Sequence, residues 1–134
     1  MGGTGKTLTV SEIVSINRRM IEQFGGVFFG DDNLLNPGSL DHALAEIQGS
    51  LFGQELYPDI IEKAAILGWR IIAGHIFGDG NKRTGMEACR LFLDLNGCAT
   101  RIDHENVDMA LAIASGNVQL ADFVEWLRHR TKEK

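Results

Sequence analysis

Between residues 75 and 85 the chain sets a base, an acid, two cations and three glycines almost side by side: His75-Ile76-Phe77-Gly78-Asp79-Gly80-Asn81-Lys82-Arg83-Thr84-Gly85. Helical patterns on both sides predict a loop that runs into a helix N-terminus, where unpaired N–H groups and the helix dipole favour an anion. Gly78 and Gly80 allow consecutive N–H groups to curl round a phosphate. The dipole contributes only ~0.3–1 kcal/mol to a charged neighbour. That is too little to hold a triphosphate, so Lys82, Arg83 and a divalent ion must supply the rest. Asp79 is the candidate ligand for Mg²⁺, which commonly takes one or two carboxylates together with substrate phosphate oxygens. Positive side chains at a helix N-terminus oppose the dipole, and a stretch that breaks a local rule is a candidate functional site. His75, just ahead of the cradle, is placed to act as general base on an attacking hydroxyl. A single histidine at a helix end is more often a cap or a satisfied buried group. The reading rests on the whole cluster, and His42, His104 and His129, which lack such company, read as surface or capping residues.

The elements that must position this segment can be traced outward from it. Downstream, Met86, Cys89, Phe92 and Leu93 give one face of a helix from about Asn81 to Leu95, closed by Asn96-Gly97. Upstream, a segment apolar nearly all round (Ile61, Ala64, Ala65, Gly68, Ile72) predicts a central helix from Asp59 to a stop at Gly74. Thr9-Val10-Ser11-Glu12 has capping-box spacing, and Ile13, Ile16, Met20 and Phe24 continue it as a helix to Gly25-Gly26. Residues 27–38 read as loop, followed by a short helix with Leu40, Leu44 and Ile47 on one side. Gly49, Gly53 and Pro58 punctuate a stretch that suits a hairpin or flap. Two more helices are expected at roughly 104–115 and 120–130, with Trp69 and Trp126 in helical apolar patterns. The expectation is an all-α bundle with one small β flap: residues 1–8 a flexible start, 9–130 the domain, and 131–134 a flexible end.

Composition limits the partners. Hydrophobic residues make up 44% and charged residues 23%, a globular profile, and the net charge is -5. An acidic chain is a poor general ligand for nucleic acid or anionic membrane, so neither is expected as a partner. No apolar run approaches the roughly 18 residues of a membrane span, and the first residues lack the pattern of a signal peptide. Cys89 and Cys98 read as reduced thiols with no further metal ligands around them, which points to the cytoplasm. Gly5-Lys6-Thr7 imitates the end of a phosphate-binding P-loop, but the glycine five positions earlier and the leading strand are missing.

The central segment resembles the Fic/Doc family motif, H-x-F-x-[D/E]-[A/G]-N-[G/K]-R, which His75, Phe77, Asp79, Gly80, Asn81, Lys82 and Arg83 match without a gap. Leu56-Tyr57-Pro58, Glu62-Lys63-Ala64-Ala65, Phe92 to Gly97 and Ala112 to Gly116 resemble its Doc branch, so the likeness covers roughly residues 9–130. The resemblance implies a bundle of about six helices with a β-hairpin flap that aligns the target by strand addition, for which Phe52, Gly53 and Leu56 are the docking candidates. It implies His75 as general base, Asp79 as Mg²⁺ ligand, and Gly80, Asn81, Lys82 and Arg83 on the phosphates of ATP. Phe77 would anchor the loop. Adenylyl-transferring members carry Gly where this chain has Lys82 and a second Arg where it has Met86. Both departures resemble Doc, a toxin that passes the terminal phosphate of ATP to a translation elongation factor. The inhibitory pattern [S/T]-x-x-x-E-[G/N] is not found, which implies a Phd-like antitoxin acting in trans. The rival readings are a Fic-type adenylyl transferase and a catalytically idle binding module.

Overall fold

A computed structural model describes residues 6–134, and in them six helices and two small two-stranded sheets follow one another along the chain. Helix α1, Val10–Phe24, starts at the expected capping box: Thr9 Oγ1 accepts from Glu12 N at 3.2 Å and Glu12 Oε1 accepts from Thr9 N at 2.9 Å. Gly25, at φ 99°, ends it. Helix α2, Pro37–Gln48, has Pro37 in its first turn, where the missing N–H costs nothing. It buries Leu40, Ala43, Leu44 and Ile47. The hairpin that follows pairs β1, Ser50–Leu51, with β2, Gln54–Glu55. Its two turn residues, Phe52 and Gly53, both take positive φ (52° and 79°), as two-residue hairpins favour.

Helix α3, Ile60–Ala73, is capped by Asp59 Oδ1, which accepts from Ile61 N at 2.8 Å, and it is the centre of the core as its all-round apolarity predicts. Against it runs α4, Asn81–Leu95, antiparallel, with Gly68 facing Gly85. A Cβ on Gly68 would run into Cys89 Sγ, and a Cβ on Gly85 would lie 2.5 Å from Ile72 Cγ1 and 2.8 Å from Gly68 O. The two helices therefore meet backbone to backbone, and nothing larger than glycine fits at the crossing. Cys89 Sγ donates to Ala64 O at 3.0 Å across the same contact; its burial pushes the thiol pKa up to about 12.

The last third departs from expectation in two places. Helix α5 is Asp108–Ala114, shorter than the predicted 104–115, because Asp103 captures the chain in a turn: its Oδ1 accepts from Glu105 N and its carbonyl from Asn106 N. Beyond α6, Leu120–Arg130, residues 131–134 are not a loose end. Strand β4, Thr131–Glu133, pairs antiparallel with β3, Cys98–Thr100, in the register Cys98↔Glu133 and Thr100↔Thr131. The expected flexible start falls partly on residues 1–5, outside the described residues, as does Gly5 of the P-loop imitation. Lys6 is tied by its N–H and carbonyl to the Asn96 side chain, and Leu8 is buried. Trp69 and Trp126 pack half-buried against the core, and both cysteines are free thiols. Among the described residues no helix is long and apolar enough to cross a membrane.

Candidate active site

Helix α3 does not stop on its glycine. Gly74 keeps right-handed geometry (φ -88°), and the chain turns instead at His75, whose φ is 49°. A left-handed non-glycine residue is uncommon and strained. Neighbours hold it there: Asn36 Nδ2 donates to His75 O at 2.8 Å, and Leu35 N and Asn36 N both donate to Ile76 O. The His75 side chain is exposed.

Ile76 and Phe77 are buried at 0% and 1% exposure and anchor the loop in the core. Phe77 pairs with Leu34 in an isolated antiparallel bridge, and Gly78 N donates to Asn33 O. Asn81 reaches back to close the loop from the other side. Its Oδ1 accepts from Phe77 N and its Nδ2 donates to Phe77 O, both at 2.9 Å. The Asn81 side chain is thus committed to loop shape, which leaves its backbone N–H for an anion.

Asp79 is held by both ends. Asn17 Nδ2 and Asn33 Nδ2 donate to its carbonyl, Val27 N donates to Oδ2 at 2.9 Å, and Gly80 N donates to Oδ1 at 2.8 Å. Gly26 permits this approach, since a Cβ there would lie 2.9 Å from Oδ2. Each carboxylate oxygen keeps a free lone pair and the side chain is exposed, so Asp79 suits a cation shared with phosphate oxygens. Among the described residues no group of three or more His, Cys, Asp or Glu forms a ready-made metal cage. A carboxylate that shares its ion with substrate needs none.

Gly80 takes φ 77° as N-cap of α4, packed so closely that a Cβ would lie 3.0 Å from Asn17 Nδ2. The N–H groups of the first turn, Asn81 to Arg83, have no intrahelical acceptor. Lys82 is exposed beside them. Arg83 is held from two sides: Nε donates to His104 O at 3.0 Å, and its guanidinium carbon lies 4.4 Å from the centre of the Phe24 ring. Lys82, Arg83 and His104 line one cleft of about 220 Å³, whose apolar wall is Val107, just ahead of α5, with Ala110 and Leu111 of α5.

The structure therefore brings His75, Asp79, Gly80, Asn81, Lys82 and Arg83 to one end of the α3–α4 pair. It does not bring the hairpin there. Phe52, Gly53 and Leu56 precede the N-terminus of α3, whereas His75 follows its C-terminus, and the two ends of that 14-residue helix lie about 21 Å apart at ~1.5 Å per residue. The segment that lies along the motif is 25–36, read from the sequence only as loop.

Three polar residues escaped sequence reading. Asn17 (0% exposed) and Asn33 (2%) form a buried amide relay: Asn33 Nδ2 donates to Asn17 Oδ1, and Asn17 Nδ2 to Thr84 Oγ1. Asn17 sits one turn after Ile13 on the apolar stripe of α1, and a polar residue in such a stripe was the available signal. His104, expected as surface or cap, is mostly buried, with Nε2 2.9 Å from Glu87 Oε1. Burial pushes the Glu87 carboxyl pKa up, but the His104 and Arg90 hydrogen bonds and the Arg90 charge outweigh it and hold the group at about 2.

With this loop at the N-terminus of α4 in a small helical bundle, the model of the Fic/DOC family matches residues 7–93. The chain belongs to that family. Its relatives put it on the Doc branch: it is 26% identical to the Protein kinase doc of Escherichia phage P1 over 121 residues, 90% of this chain and 92% of the relative. It is 34% identical to the Toxin Doc of Mycolicibacterium smegmatis over 96 residues, 71% of this chain and 73% of that one.

Proposed function

We propose that this chain is a Doc-like toxin that transfers the γ-phosphate of ATP to a hydroxyl of a target protein in the cytoplasm, a translation elongation factor of the Tu type being the expected target. His75 accepts the hydroxyl proton as the oxygen bonds to the γ-phosphorus; the bond to the bridging oxygen breaks and ADP leaves. Gly80, the first-turn N–H groups, Lys82 and Arg83 hold the phosphates, and Asp79 would hold Mg²⁺, which neutralises phosphate charge when bound. The observation that favours phosphate over AMP is at residues 82 and 86. Lys82 adds a flexible cation to the cradle, and Met86, at 0% exposure, faces the core, so α4 offers one guanidinium there. A Phd-like antitoxin in trans is the expected restraint.

Intact-protein mass spectrometry of a bacterial elongation factor incubated with this protein, ATP and Mg²⁺ tests the reading, with His75→Ala as control. The expected result is a gain of one phosphate that the variant cannot produce. A gain of one AMP would move the chain to the adenylyl transferases. Binding of the target with no modification by either form would leave a binding module.

A further inference from the structure

Arg83 and Glu87 stand four residues apart on α4, the spacing at which an arginine and a glutamate on a helix ordinarily pair. They do not pair here. Glu87 is instead filled from elsewhere: Arg90 reaches Oε2 with Nη2 at 2.6 Å and shares Nε between both oxygens at 3.0 Å, and His104 Nε2 takes the remaining side of Oε1 at 2.9 Å. With Glu87 ionised, Nε2 must be the donor in that contact. The imidazole packs tilted against Phe24, with ring centres 5.8 Å apart, and the same Phe24 carries the Arg83 guanidinium. His104 then offers its own carbonyl to Arg83 Nε. The Nη groups of Arg83 make no hydrogen bond to a described residue.

We propose that His104 is a positioning residue for Arg83: it occupies the Glu87 oxygen that would otherwise capture the guanidinium, and its carbonyl fixes Arg83 with the Nη fork free for phosphate. This inference rests on Arg83 being a phosphate ligand. An arginine already ordered loses less freedom when the phosphate arrives, which is affinity gained without a new contact. His104 lies beyond residue 93, outside the segment matched by the family model.

The test uses His104→Ala, His104→Gln (whose amide N–H can still reach Glu87), Arg83→Ala and the Arg83/His104 double alanine variant. MgATP affinity is measured by calorimetry and the Arg83 Nε–H signal by ¹⁵N NMR. His104→Ala should weaken MgATP about tenfold, as coupled neighbours do, and shift or broaden the Nε–H signal before any nucleotide is added. His104→Gln should stay close to wild type on both, and the double variant should be no weaker than Arg83→Ala alone. The proposal falls if His104→Ala leaves the Nε–H signal unchanged, or if the two losses simply add. Wild-type affinity in Arg83→Ala would instead overturn the phosphate-binding role on which the inference stands. His104→Gln guards against a general folding defect, since it keeps the Glu87 contact.

Discussion

At the scale of single residues, His75, the proposed base, is held in a conformation its own chemistry disfavours. A left-handed residue other than glycine costs about 1–3 kcal/mol, and His75 bears that cost at φ 49° with an exposed side chain. A glycine there would relieve the strain but add backbone entropy to the unfolded chain, a penalty of ~0.5–1 kcal/mol. His75→Gly should therefore be as stable as wild type in urea denaturation or more so, by up to ~2.5 kcal/mol, while the proposed phosphotransfer is lost. A lower midpoint would mean that the imidazole itself stabilises the fold. Most of the candidate site was legible because eleven consecutive residues carry it, each with a chemistry of its own. Asn17, Asn33 and His104 were not, since each matters through a partner far along the chain: Asn17 reaches Thr84, Asn33 reaches Asp79, and His104 reaches Glu87.

At the scale of elements, the site depends on how closely α3 and α4 approach. The helices themselves were readable from apolar periodicity and from caps such as Thr9 and Asn96-Gly97. Their crossing was not, because a glycine within a helical pattern does not say what it faces. Gly85→Ala gains helix propensity, worth ~1 kcal/mol, but its Cβ would lie 2.8 Å from the Gly68 carbonyl and 2.5 Å from Ile72 Cγ1. A backbone oxygen cannot step aside, so overpacking wins, and the variant should lose ~1–3 kcal/mol in urea denaturation. Ile72→Ala leaves a cavity on its own, yet it should cost distinctly less in the Gly85→Ala background, because the new methyl fills part of the space. Strict additivity of the two would show that Ile72 is not the neighbour that resists. The hairpin was legible at its place in the chain but its position relative to the motif was not, because turn residues mark a hairpin and only packing decides which end of a helix it occupies. Segment 25–36, with little regular structure to betray it, is held on the motif by bonds such as Val27 N to Asp79.

At the scale of the whole molecule, the carboxylates set a common direction for acid sensitivity. The guanidinium of Arg70 lowers the Glu46 pKa, and at Asp59 burial pushes the pKa up but the Arg128 hydrogen bond, the Ile61 N–H and the Arg128 charge together outweigh it. Glu87 is the extreme case, held at about 2 against an ordinary 4.5. A carboxylate depressed in the folded state contributes its full stability above its unfolded pKa and loses it as the pH falls through the folded one. The Glu87 contribution is thus complete above about pH 4.5 and is surrendered between there and pH 2. Glu87→Gln keeps the shape but turns an amide N–H toward Arg90 or His104, which should cost ~1–3 kcal/mol at neutral pH. Unlike wild type, the variant has no charge at this position to lose. Urea unfolding at pH 7, 4 and 3 should show the gap between the two proteins wide at pH 7, narrowing at pH 4 and narrower again at pH 3. A gap that stays constant with pH would mean that Glu87 titrates normally in the folded protein, and that the ties from His104 and Arg90 do not hold its proton off.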